Sequence, residues 1–88
     1  MKQDYIYVPF NKSVKNYIEE AERFSKKLFS VNIDVSSDKK SLSINGEEDN
    51  LVSIMINPVY IIIKRISNSD LAGEIYNAIT LNAKKFCN

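Results

Sequence analysis

The segment SLSINGEEDNLVSIMI, residues 41–56, decides the fold of this chain because its pattern fits two different secondary structures. If a helix begins near Asn45, the acidic residues 47–49 lie at the positive end of the helix dipole, where negative charge is stabilising. Leu51 and Met55 then lie on one apolar face at helical spacing. We expect this helix.

The same segment also fits a hairpin of two strands, which we keep as the alternative. Leu42 and Ile44 alternate with polar residues, and Asn45-Gly46 is a common two-residue hairpin turn. Ile54 and Ile56 then alternate again, as expected of a strand with one buried face.

Before this segment, the chain fits a strand, a helix and a second strand. Residues 5–8 (YIYV) are aromatic and β-branched, and Pro9 ends the strand because it has no N–H to donate. Ser13 can cap the following helix, and residues 31–35 (VNIDV) alternate as a strand does. The helix keeps apolar residues at three-and-four spacing, namely Val14, Tyr17, Ile18, Ala21, Phe24 and Leu28. A strand-helix-strand unit normally joins parallel strands.

After this segment, the sequence predicts a strand and a final helix. Asn57-Pro58 breaks the preceding element, and residues 59–63 (VYIII) are continuously apolar, as in a central strand covered on both faces. Ser67 and Asp70 resemble an acidic capping box at a helix start. The apolar positions of that helix are Leu71, Ile75, Ala78, Ile79 and Ala83.

These elements predict one α/β domain over residues 1–88, a three-layer β-α-β-α-β-α arrangement with a small, mostly parallel sheet. The hairpin alternative gives an α+β fold of order β-α-β-β-β-α. In a parallel sheet, the loops that follow the strands meet at one edge, where open α/β folds bind ligands.

Composition excludes several classes of function. Twelve basic and eleven acidic residues give a net charge of +1, so no global field attracts nucleic acid or a membrane. The chain has no histidine, one cysteine (Cys87) and two isolated glycines, so no zinc site, phosphate loop or usual general base can be assembled. We therefore expect a cytoplasmic protein that is not an enzyme, uses no cofactor or metal, and does not enter a membrane.

A local basic edge is the main candidate site. If the sheet is parallel, the loops after the first three strands bring six basic residues together, with only Asp38 and Asp70 opposing them. The six are Lys12, Lys15, Lys39, Lys40, Lys64 and Arg65. Such an edge, with nearby helix N-termini, could hold phosphates. Tyrosines at positions 5, 7 and 60 could stack on bases if they are exposed.

The order of landmarks resembles the anticodon-binding domain of class II aminoacyl-tRNA synthetases. The landmarks are Val8-Pro9-Phe10-Asn11, the helix from Ser13, residues 31–35, Asp38-Lys39-Lys40, Ile44 onward, and residues 58–63. The resemblance implies a nucleotide contact at Asn11 and a free-standing binding module. The chain departs from the family at Asn45, where a basic residue is common, and at Lys64, where glycine is common. The hairpin alternative instead resembles ribosome hibernation factors and, more faintly, small nucleoid-associated proteins.

We therefore expect a small binding module that contacts RNA or a ribonucleoprotein through Asn11 and the basic edge. The alternative is a protein-interaction subunit or inhibitor, as a homodimer or with another protein, that does not bind nucleic acid.

Overall fold

The computed structural model describes residues 4–9, 17–57 and 60–87. They form five strands and two helices in the order β-α-β-β-β-β-α. The elements are β1 (Tyr5–Pro9), α1 (Tyr17–Leu28), β2 (Asn32–Val35), β3 (Ser41–Asn45), β4 (Asn50–Ile56), β5 (Tyr60–Arg65) and α2 (Asp70–Cys87).

The five strands form one sheet in the order β1-β5-β4-β3-β2, and every neighbouring pair is antiparallel. The prediction of a mostly parallel three-layer α/β fold is therefore wrong. The strand-helix-strand unit does exist, but α1 carries the chain from one edge of the sheet to the other, so β1 and β2 never pair. The fold belongs to the α+β class of the alternative, with one strand more than that alternative counted.

Residues 41–56 form the hairpin of β3 and β4, so the helix predicted from Asn45 is wrong. The connection is longer than a two-residue turn: Asn45 pairs with Asn50, and the Gly46 N–H donates to the Asp49 carbonyl at 2.8 Å. Gly46 has no positive φ, so the tight turn that Asn-Gly favours is not used. Strand pairing to β5 on one side and β2 on the other outweighs the helical dipole pattern of the acidic loop.

Both helices cover the same face of the sheet, with α1 over β2, β3 and β4 and α2 over β1, β4 and β5. The core between them is aliphatic and includes Leu42, Ile44, Ile54, Ile61 and Ile63, each at most 1% exposed. Burial of this kind contributes roughly 25 cal/mol per Å² of apolar surface.

Strand β5 is an interior strand, but only one of its faces lies under the helices. Ile61 and Ile63 face the core, whereas Ile62 is half-buried on the other face of the sheet. The apolar run at residues 59–63 was therefore interpreted incorrectly as a strand covered by helices on both faces.

The start of α2 is capped by Ser69 rather than by the predicted pair of Ser67 and Asp70. The Ala72 N–H donates to Ser69 Oγ at 3.2 Å, and the Ser69 N–H donates to Ser67 Oγ at 3.1 Å. Ser67 thus supports the residue that caps the helix. The cap predicted at Ser13 lies outside the described residues.

Candidate nucleic-acid interface

No described element covers the face of the sheet opposite the two helices, which we call the open face. Side chains alternate across each strand, so every second residue projects from this open face. On β1 and β5 these residues are mainly aromatic and apolar, whereas on β2 and β3 they are polar. The open face therefore has an apolar half and a polar half.

Three tyrosines of the apolar half lie together and form what we call the tyrosine patch (Tyr5, Tyr7 and Tyr60). Their exposed fractions are 40%, 49% and 36%. The ring centroids of Tyr5 and Tyr7 are 5.6 Å apart, those of Tyr7 and Tyr60 are 5.3 Å apart, and both pairs meet edge to face. Because edge-to-face pairs hold the rings in place while leaving ring surface accessible, the patch offers preformed aromatic surface to a ligand.

Met55, Ile62 and Lys64 extend the patch across the sheet. The strand register places Ile62 between Tyr7 and Met55, and it places Lys64 directly beside Tyr5. Met55 is 53% exposed and Lys64 is exposed. A cation therefore lies against an otherwise apolar and aromatic surface.

The polar half lies on β2, β3 and the middle of β4. Ser43 pairs with Ser53 on one side and with Asp34 on the other. Asn45 Nδ2 donates to Asp34 Oδ2 at 3.0 Å. One row across the open face therefore contains one residue from each strand, in the order Tyr5, Lys64, Ser53, Ser43 and Asp34.

The predicted basic edge is not assembled by the described residues. Lys39 and Lys40 lie in the β2–β3 connection, at one end of the sheet. Lys64 and Arg65 lie at the last two positions of β5, whose antiparallel direction puts them at the opposite end. The edge depended on parallel strands, and the sheet has none. Asn11, Lys12 and Lys15 lie outside the described residues.

Lys64 and Arg65 also project from opposite faces of β5. Arg65 lies on the helix side, where its Nε donates to the Ser67 carbonyl at 3.0 Å and its Nη2 donates to the Ser69 carbonyl at 3.0 Å. These bonds tie the guanidinium to the start of α2, so Arg65 has a structural role. Lys64 alone among the described basic candidates lies beside the tyrosine patch.

Lys39 and Lys40 belong to a turn whose geometry is set by its neighbours. Lys39 adopts a left-handed φ of 58°, and the Ser36 hydroxyl donates to Asp38 Oδ1 at 2.6 Å. That hydrogen bond, followed by the one from the Lys40 N–H, lowers the pKa of Asp38. An ionised Asp38 therefore lies directly beside both lysines and reduces the local positive charge.

Sequence reasoning identified the three tyrosines but missed Met55 and Ile62 as parts of the same surface. In the helical interpretation Met55 belonged to the core, and in the covered-strand interpretation Ile62 did too. The signal that could have found them is the alternation of residues 51–56 and 60–65, read together with an antiparallel register between the two segments.

Other surfaces of the described residues give weaker indications of a binding site. A shallow groove of about 290 Å³ between the helices is lined by Phe24, Ala78, Leu81, Asn82 and Lys85. Within residues 4–9, 17–57 and 60–87, no group of three or more acidic or cysteine side chains could hold a metal ion. Neither described helix is both long and apolar enough to cross a membrane.

No family model, curated protein or solved structure matches this chain. The resemblance to anticodon-binding domains therefore stays a prediction.

Proposed function

We propose that this protein is a non-enzymatic module that binds single-stranded RNA, free or within a ribonucleoprotein, on the open face of its sheet. The observation that carries the proposal is the exposed tyrosine patch with Lys64 beside it. Sheet faces with exposed aromatic side chains are a recurrent way to bind single-stranded RNA, because splayed bases stack on the rings.

Each part of the surface has a distinct chemical task. The rings of Tyr5, Tyr7 and Tyr60 supply stacking surface, and each stacked base contributes roughly 1–3 kcal/mol. Lys64 supplies one charge-assisted contact to a phosphate. Met55 and Ile62 exclude water from the neighbourhood of the stacked bases. Less water strengthens the electrostatic contact between Lys64 and the phosphate.

The proposed binding site is the tyrosine patch with Lys64, and it is not the basic edge that the sequence predicted. Lys39 and Lys40 are at the far end of the sheet from Lys64, so they contribute to RNA affinity only if the strand extends beyond the patch. A cytoplasmic location fits a chain with a single, unpaired cysteine.

The test compares the RNA affinity of the wild type and four variants by fluorescence anisotropy with a labelled, unstructured oligonucleotide. Tyr7→Ala should weaken binding about 10-fold, because it removes the ring that contacts both other tyrosines. Lys64→Glu should also weaken binding. The controls are Leu81→Ala and Lys84→Glu, which change exposed residues on α2.

The controls should bind as the wild type does. Undetectable binding by the wild type, or equal loss in the α2 controls and the patch variants, would contradict RNA binding at the open face. Circular dichroism of each variant separates lost binding from lost folding.

A second candidate function is protein binding through the same face, as a homodimer or with another protein. Met55 favours it, because an exposed methionine adapts to varied apolar partners and is enriched at protein interfaces. Met55→Glu should then abolish association in sedimentation experiments, whereas a chain that stays monomeric and captures no protein argues against this candidate.

A further inference from the structure

We infer that the open face also selects among RNA sequences, and that Asp34 makes it favour cytosine over uracil. This inference rests on the proposed function, since it requires that a strand lies on the tyrosine patch. It concerns the polar half of the open face, to which the proposed function assigns no role.

Asp34 lies within reach of a strand anchored on the patch. It occupies the same row of the sheet as Lys64, with Ser53 and Ser43 between them. Three strand-to-strand steps of about 4.8 Å put the two backbones roughly 14 Å apart. Single-strand sites cover at least about 4 nucleotides, so a strand that crosses the sheet from Lys64 can reach Asp34.

The Asp34 carboxylate is positioned and incompletely satisfied. Asn45 Nδ2 donates to Oδ2 at 3.0 Å, which orients the carboxylate from the neighbouring strand. No other donor among the described residues bonds to the Asp34 carboxylate. Its second oxygen, on an exposed residue of the open face, is available to a ligand.

An ionised carboxylate only accepts hydrogen bonds, which makes it selective among bases. Cytosine presents an amino group at N4, the group that Asp and Glu accept from in nucleic-acid recognition. Uracil carries a carbonyl oxygen at that position, and this oxygen would meet the carboxylate with repulsion. The hydroxyls of Ser43 and Ser53 can donate or accept, so they bind either base and leave the discrimination to Asp34.

The experiment measures anisotropy with labelled oligocytidylate and oligouridylate of about eight nucleotides. These two pyrimidine strands differ little in stacking surface. The wild type should bind oligocytidylate about 10-fold more tightly than oligouridylate, which is the discrimination that one good base-edge contact provides. Asp34→Asn adds a donor for the uracil carbonyl, so it should reduce the preference to about 2-fold or less while leaving affinity for oligouridylate unchanged or higher.

The matched control is Asp49→Asn, which removes an exposed carboxylate from the β3–β4 loop and should keep the wild-type preference. Equal wild-type affinity for the two strands, or a preference that survives Asp34→Asn, overturns the inference but leaves RNA binding standing. No binding of either strand by the wild type contradicts the proposed function itself.

Discussion

Glu20 shows how one partly exposed side chain connects the two helices. Its carboxylate accepts from Arg23 Nη2 at 2.6 Å and from Asn82 Nδ2 at 3.1 Å. Asn82 Oδ1 in turn accepts from the buried Tyr17 hydroxyl at 2.9 Å. The network therefore satisfies the one polar group of Tyr17, whose ring is in the core and meets Phe86 edge to face.

The same network makes stability depend on pH. Burial, the largest single influence, acts to raise the pKa of Glu20, but the hydrogen bonds from Arg23 and Asn82 and the charge of Arg23 together lower it from its ordinary value of 4.5. A carboxyl with a lowered pKa in the folded state stabilises the fold above its unfolded pKa, and that contribution is lost as pH falls through the folded pKa.

We expect Glu20→Gln to lower Tm at neutral pH and to reduce the further loss of Tm below about pH 4.5. The measurement is thermal denaturation followed by circular dichroism between neutral pH and about pH 3. Glu47→Gln, in the exposed β3–β4 loop, controls for the removal of one negative charge. Parallel Tm curves for the wild type and Glu20→Gln would contradict the role of the network.

At the scale of elements, Gly73 in α2 lies against the end of β5. A Cβ at Gly73 would lie 3.2 Å from Arg65 Nη2, closer than ordinary contact. That guanidinium bonds to the Ser67 and Ser69 carbonyls, so it can move only by weakening those bonds. The glycine therefore permits Arg65 to connect the end of β5 to the start of α2.

This packing predicts that Gly73→Ala and Arg65→Ala are not additive. In an Arg65→Ala background, Gly73→Ala should raise the free energy of unfolding by about 1 kcal/mol, the helix propensity difference. In the wild type the gain should be smaller or reversed, which urea denaturation of the four proteins measures. Asn77→Ala, on an exposed turn of α2, should act equally in both backgrounds. Additive effects at position 73 would contradict the contact.

The sequence predicts elements far better than their arrangement. Ile18 and Ala21 of the first helical stripe, and Ile75 and Ile79 of the second, face the core as expected. Leu28 and Leu71, predicted on the same two stripes, are instead 54% and 40% exposed. These patterns are local, so the sequence displays them directly. The pairing of β1 with β5 joins distant segments, and no local pattern encodes it. The candidate site depended on that pairing, so only its tyrosines and Lys64 could be named in advance, and not the surface that they form together.

Over the whole molecule, near-neutral charge limits how strongly electrostatics can contribute to binding. The net charge is +1, and on the described part of the open face Lys64 is opposed by Asp34. Each phosphate neutralised on a single strand contributes a slope of about −0.7 to log K against log salt. RNA binding that depends on stacking should therefore vary little with salt.

We expect a slope of about −1 or shallower for the wild type and close to zero for Lys64→Gln. Anisotropy titrations over a range of salt concentrations give both values. Lys84→Gln on α2 should keep the wild-type slope. A slope of about −3 or steeper would mean that several phosphates are neutralised, and it would contradict binding that depends mainly on stacking.

The position of β1 beside β5 has a consequence for the order of folding. Strands β2 to β5 follow one another as a meander of neighbouring hairpins, whereas β1 must find its partner across about two thirds of the chain, as the pairing of Tyr5 with Lys64 shows. Loop closure makes such distant pairing slow, so we expect the meander to form before β1 joins it. Because β1 carries Tyr5 and Tyr7, the proposed RNA-binding surface would be complete only after β1 has paired with β5. RNA binding would then distinguish the fully folded chain from a nascent or partly folded one.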